Sequence, residues 1–147
     1  MAKFKYRMQN ILDIKLKLEN QAKLAYGVAE QKYREEQQKL QDLMVRRARY
    51  EKQLKDLMDG VMNLKEINHT KSAVDSLKVL VRRQMMEVHK AEKELERARK
   101  ALNEVMQERK MHEKLKEKAF DEFQQELLAE EGKAIDGLVS YTYNAKQ

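Results

Sequence analysis

The 147-residue chain is 38% charged and 6% aromatic, with no Trp, a composition too poor in large fillers to close a rounded core. Pro and Cys are absent and Gly stands only at 27, 60, 132 and 137, which excludes disulfide frameworks and thiolate metal sites and favours long unbroken helices. The net charge of +6 arises from 31 basic and 25 acidic residues interleaved along the chain, a weak polyelectrolyte signal.

Taken in chain order, the opening MAKFKYRMQN has neither the apolar stretch nor the cleavage site of a signal peptide, and no 18-residue apolar run follows it. A cytosolic chain is the expectation. A heptad phase begins at Ala22 and runs Tyr26, Ala29, Tyr33, Glu36, Leu40, Leu43, Arg47, Tyr50, Leu54, Leu57, Val61, Leu64, and only Glu36 and Arg47 among these are charged. A second run goes Val74, Leu77, Val81, Gln84, Val88, Ala91, Leu95, Ala98, Leu102, Val105, Arg109, His112. Alternating spacings of three and four over this length predict a left-handed coiled coil, because that pitch keeps the stripe on one partner. Such a repeat also separates the chain from disordered sequences of similar charge.

Between the runs, Asn68, Thr70 and Ser72 favour caps and turns over a helix interior, and Ser72 with Asp75 fits a capping box. The reading is an all-α fold: a single long antiparallel two-helix coiled-coil hairpin, with arms of about 4–67 and 72–135 and a turn centred near residue 69. Facing residues then have numbers adding to 138. Leu64 meets Val74, Leu57 meets Val81, Leu43 meets Leu95, and each awkward residue faces an apolar one: Glu36 with Leu102, Arg47 with Ala91, Leu54 with Gln84, Ala29 with Arg109. A slip of one heptad would centre the turn in segments that read as helix, so 138 is the expected register.

Toward the termini the phase is expected to move by one position. Phe4, Ile11 and Leu18 on one arm match Ala134, Leu127 and Phe120 on the other, and a matched discontinuity relaxes the supercoil. The hairpin proper is placed at 1–137. Gly132 and Gly137, followed by Leu138-Val-Ser-Tyr-Thr-Tyr-Asn-Ala-Lys-Gln147, suggest a frayed tail over 138–147.

Catalytic chemistry is not legible. His69, His89 and His112 have no metal-ligand spacing, carboxylate pairs such as Glu35-Glu36 and Glu130-Glu131 read as solvated helix faces, and no phosphate loop or nucleophile elbow occurs. No cofactor is expected. Apolar residues off the seam remain: Met58 and Met62 on one arm, and Val79, Leu80, Met85 and Met86 on the other. Two readings stand side by side, a widened core and a Met-rich binding patch. Arg46-Arg47-Ala48-Arg49 and Arg82-Arg83 could touch phosphate, although such stretches more commonly solubilise a coil.

The opening Phe4-Lys5-Tyr6-Arg7-Met8-Gln9-Asn10-Ile11-Leu12-Asp13-Ile14-Lys15 resembles the start of the bacterial flagellar export protein family FliJ. Glu108-Arg109-Lys110-Met111-His112-Glu113-Lys114-Leu115-Lys116-Glu117-Lys118, with Phe123 and Glu126, is similar to that family's C-terminal block. The resemblance implies a non-enzymatic, cytoplasmic component of the flagellar type III export apparatus, peripheral to the cell membrane and similar to the central stalk of a rotary ATPase. It further implies three partners: the hexameric export ATPase FliI, the cytoplasmic domain of the export gate FlhA, and export chaperones. On the same basis the nearest matches to the family's gate contact are Ala73, Leu77 and Leu80. The ATPase-facing open end would comprise Phe4, Tyr6, Ile11, Leu12, Phe120, Phe123 and Leu127. The free chain is expected to be a monomeric hairpin that neither inserts into membrane nor binds nucleic acid. The alternatives are a generic coiled-coil scaffold or chaperone and a nucleic-acid-binding helical hairpin, the latter distinguished by steep salt dependence.

Overall fold

A computed structural model describes residues 3–145. Among the described residues there are two helices and no strand: α1, Gln9–Met58, and α2, Leu64–Ala145. The antiparallel two-helix hairpin is therefore the fold. Contacts divide the chain into two compact units, one made of Gln21–Leu102 and the other joining the segments on either side of it.

In the unit 21–102, α1 ends where Asp59 donates its backbone N–H to the Asp56 carbonyl at 3.3 Å. The chain then bends through Asp59–Val61, with Gly60 a weak helix former at the break. Asn63 restarts the helix. Its side-chain oxygen accepts from the backbone N–H groups of Lys65 at 3.1 Å and Glu66 at 3.4 Å, satisfying two donors that a helix start leaves unpaired. Glu66 adds a negative charge to the first turn, where the helix dipole favours it.

This places the turn at 59–63 and corrects the expectation of a turn near residue 69. Ile67 and Thr70 are buried instead, extending the α2 seam in phase through Ile67, Thr70, Val74, Leu77 and Val81. Burying an Ile side chain is worth ~1.5–3 kcal/mol, more than the few tenths by which Asn68, Thr70 and Ser72 disfavour a helix interior. Ser72 and Asp75 lie exposed within α2 and form no cap.

The seam itself is as read. Every expected position from Ala22 to Leu57 and from Val74 to His112 is buried or half-buried, whereas Val61 and Leu64 sit exposed at the turn. The pairing differs. The Gln84 side-chain amide donates to the Glu36 carbonyl at 2.9 Å and to the Glu36 carboxylate, and Tyr26 stands beside Arg99, whose pKa it raises. These facing numbers add to 120 and 125, about fourteen below 138. Because fourteen is two whole heptads, the slip leaves every seam residue on the seam and only its partner changes.

The second unit, described over 3–20 and 103–145, obeys the same register. Lys15 pairs with Glu108 at 2.8 Å, Glu19 with Arg109, and the Phe4 ring lies 5.2 Å from Phe120 and 5.5 Å from Phe123. Along α1 the seam keeps its phase through Glu19, Lys15 and Leu12, while Leu18 and Ile11 are exposed. The expected one-position shift is thus absent from α1. The ion pair of Glu19 with Arg109 explains the choice, since keeping the phase gives a buried carboxylate a guanidinium partner. On α2 Phe123 and Leu127 are half-buried and Ala134 is exposed. The helix runs on to Ala145, beyond the expected end near 135. Of the tail expected to leave the helix, 138–145 is helical and the last two residues lie outside the described range.

Candidate interaction surfaces

Three of the residues implied for the open end, Phe4, Phe120 and Phe123, pack together in the unit 3–20 with 103–145. Phe4 precedes α1 and is half-buried against the rings of Phe120 and Phe123, contacts that stabilise beyond their buried area. Leu12 is buried in the seam, Leu127 and Tyr6 are half-buried, and Ile11 and Phe120 are exposed enough to meet a partner. The Tyr6 hydroxyl and the His112 Nδ1 atom are buried without a hydrogen-bond partner.

The three gate-contact candidates separate by burial. Leu77 is buried in the seam and Ala73 is half-buried, while Leu80 keeps 41% of its surface. All three lie nine or more residues inside α2, since the helix starts at Leu64. Val79, Met85 and Met86 are exposed beside Leu80, so these residues form surface and do not widen the core. By register Leu80 levels with the exposed Met44 and Val45 on α1. A separate apolar tip is made of Met58, Val61, Met62 and Leu64, with Val61 fully exposed. Sequence reasoning assigned Val61 and Leu64 to the seam and so missed this tip; the Asn63-Leu-Lys-Glu66 capping pattern is the signal that would have found it.

The electrostatics of the seam are concentrated in two polar layers. Glu36 is buried, and the Gln84 hydrogen bond, the Lys32 hydrogen bond and the nearby Lys39 charge hold its carboxyl down at about 2 against an ordinary 4.5. In the other unit Arg109 is held above its ordinary value by Glu19 and then Glu113, and Lys15 lowers Glu108. Arg47, half-buried, turns along its own helix to Glu51 at 3.0 Å. Among the described residues no cluster of three His, Cys, Asp or Glu could hold a metal ion. Among the same residues no helix is long and apolar enough to cross a membrane.

Two helices with one apolar seam, interrupted by polar layers and leaving apolar faces outside, define a coiled-coil hairpin of the kind that presents surfaces to other proteins. The family follows from comparison with known proteins. Residues 4–147 match the model described as flagellar FliJ protein, and the chain belongs to that family, as the resemblance of its two terminal blocks implied. Among solved structures it is similar to the YscO homolog CT670 from Chlamydia trachomatis, at 22% identity over 99% of this chain and 100% of that one, with a TM-score of 0.60; this likeness shows the fold. No curated protein matches the sequence. Membership makes the chain a component of a type III export apparatus, in a family of non-catalytic export components.

Proposed function

We propose that this chain is a cytoplasmic, non-catalytic coupling component of flagellar protein export, engaging the export ATPase FliI through the unit that holds both terminal segments and the gate protein FlhA through the exposed α2 face around Leu80, and assisting export chaperones. The family match over residues 4–147 carries the reading. Two features support it. The aromatic cluster of Phe4, Phe120 and Phe123 ties the two arms together next to exposed apolar residues, and the face with Val79, Leu80, Met85 and Met86 offers adaptable contact area.

The test is the rate of ATP hydrolysis by purified FliI with and without the chain, alongside binding to the cytoplasmic domain of FlhA. A coupling component changes the hydrolysis rate and binds both partners. A chain that binds neither and leaves hydrolysis unchanged is a generic scaffold.

A further inference from the structure

Two registers close the same seam in the unit 21–102, and the chain carries a helix start for each. The observed one brings together residues whose numbers add to about 124, with Gln84 on Glu36 and α2 starting behind Asn63. The other is two heptads away, with facing numbers adding to 138. It sets Leu43 on Leu95, Leu57 on Val81, Val61 on Leu77 and Leu64 on Val74. Its turn near residue 69 leads into Ser72 and Asp75, a helix-start pair that now lies exposed within α2 and caps nothing. Val61 and Leu64 are in phase with the α1 seam, yet Val61 is fully exposed and Leu64 keeps 70% of its surface. The second register is the arrangement that buries them.

We propose that this unit is a two-register hairpin, which passes from the observed register to the 138 register when residues 59–66 cross the turn and join α1. The two helices then slide past each other by about fourteen residues, ~21 Å at ~1.5 Å per residue. Because the step is a whole number of heptads, the seam residues that remain in the helices stay on the seam. A slip that is not a multiple of seven would turn charged faces inward, so the helices have separate resting positions and no continuous slide.

The observed register dominates in the free chain. It gives the buried Glu36 a partner in Gln84 and buries Ile67 and Thr70. It also sets Tyr26 level with Ala98 and Tyr33 level with Ala91, large against small. In the 138 register Gln84 faces Leu54, and Gly60 enters a helix interior, where it is a weak helix former. The tip distinguishes the two states. Met58, Val61, Met62 and Leu64 form a free apolar surface in the first, whereas Val61 and Leu64 belong to the seam in the second. A partner that grips this tip therefore holds the first register, and the register in turn determines whether the tip can be gripped. This device does not rest on the export reading.

The chain has no cysteine, so introduced pairs, oxidised with oxidised glutathione, read the registers separately. Leu43→Cys with Val81→Cys closes in the observed register, and Leu43→Cys with Leu95→Cys closes in the other. Both are expected to close within one chain, the second more slowly. Glu36→Leu with Gln84→Leu, which removes the polar match, should speed the second closure about tenfold or more. Ser72→Ala, which takes away only the second helix start, should slow it about fivefold and leave the first closure unchanged. Locked through residues 43 and 95, the chain should be a helical monomer in which Val61→Ala lowers the melting temperature and Ile67→Ala does not, the reverse of the unlocked chain. A second pair that stays reduced or closes only between chains, a second closure indifferent to Ser72→Ala, or a locked chain in which Ile67→Ala remains the costly change would each overturn the proposal.

Discussion

Glu36 stands in the middle of an apolar stripe, and its environment determines how the hairpin responds to acid. Its carboxyl is held at about 2 by Gln84 first and then by Lys32 and Lys39, against an ordinary 4.5. The unfolded chain therefore takes up the proton before the folded one does. The stabilising contribution is complete above pH ~4.5 and declines as pH falls from there toward ~2. Melting temperatures measured from pH 6 down to pH 2 should fall through that window, and Glu36→Gln, which cannot titrate, should flatten the fall. An equally steep fall in the variant would assign the acid sensitivity to other carboxylates. The same residue explains why the register was misread. Facing each polar seam residue with an apolar one looks tidy, but opposite Leu102 the buried carboxylate would have no partner from the facing helix, whereas opposite Gln84 it gains a hydrogen bond across the seam. Polar matched to polar picks one register among those a heptad repeat allows.

At the scale of the element, the seam of each helix was legible and the boundary between the helices was not. Periodicity repeats every seven residues, so it cannot distinguish a turn at 59–63 from one two heptads of register away; only the local chemistry of Asn63 does. Three substitutions separate the two turns by denaturant unfolding. Ile67→Ala should cost ~2–5 kcal/mol because Ile67 is buried, while Val61→Ala, at a fully exposed side chain, should stay within ~0.5 kcal/mol. Asn63→Ala should cost ~1 kcal/mol through the lost cap. The opposite order for Ile67 and Val61 would restore the turn near 69. The face of α2 proposed for the gate divides in the same way. Leu77→Glu puts an unpaired charge into the seam and should lower both helicity and melting temperature. Leu80→Glu, at a half-exposed position, should leave both nearly unchanged while weakening FlhA binding. Loss of far-UV circular dichroism in Leu80→Glu would make Leu80 a core residue.

Across the whole molecule, burial is uneven in a way that bears on function. The buried apolar side chains of the unit 21–102 gather along α2 at Ile67, Val74, Leu77, Val81 and Ala91, whereas the other unit buries Leu12 and then relies on ion pairs and the Phe4 cluster. Beyond Leu127 no large apolar residue is buried among the described residues. Local opening follows the number of buried apolar contacts, so backbone amides near 74–91 should exchange slowly and those of 128–145 quickly. Binding of the export ATPase to the unit with both terminal segments should slow exchange in 4–20 and 120–145 together, because Phe4 joins the two arms through Phe120 and Phe123. Hydrogen exchange with and without FliI, read beside its hydrolysis rate, makes the comparison. Protection gained only around 58–86, with hydrolysis unchanged, would move the ATPase contact to the turn and the Leu80 face and leave the terminal segments free for another partner. Protection gained in 128–145 alone would mean that the ATPase takes the exposed α2 face without the Phe4 layer. In that case Phe4→Ala, which removes the ring contacts between the arms, should leave binding intact while destabilising the free chain.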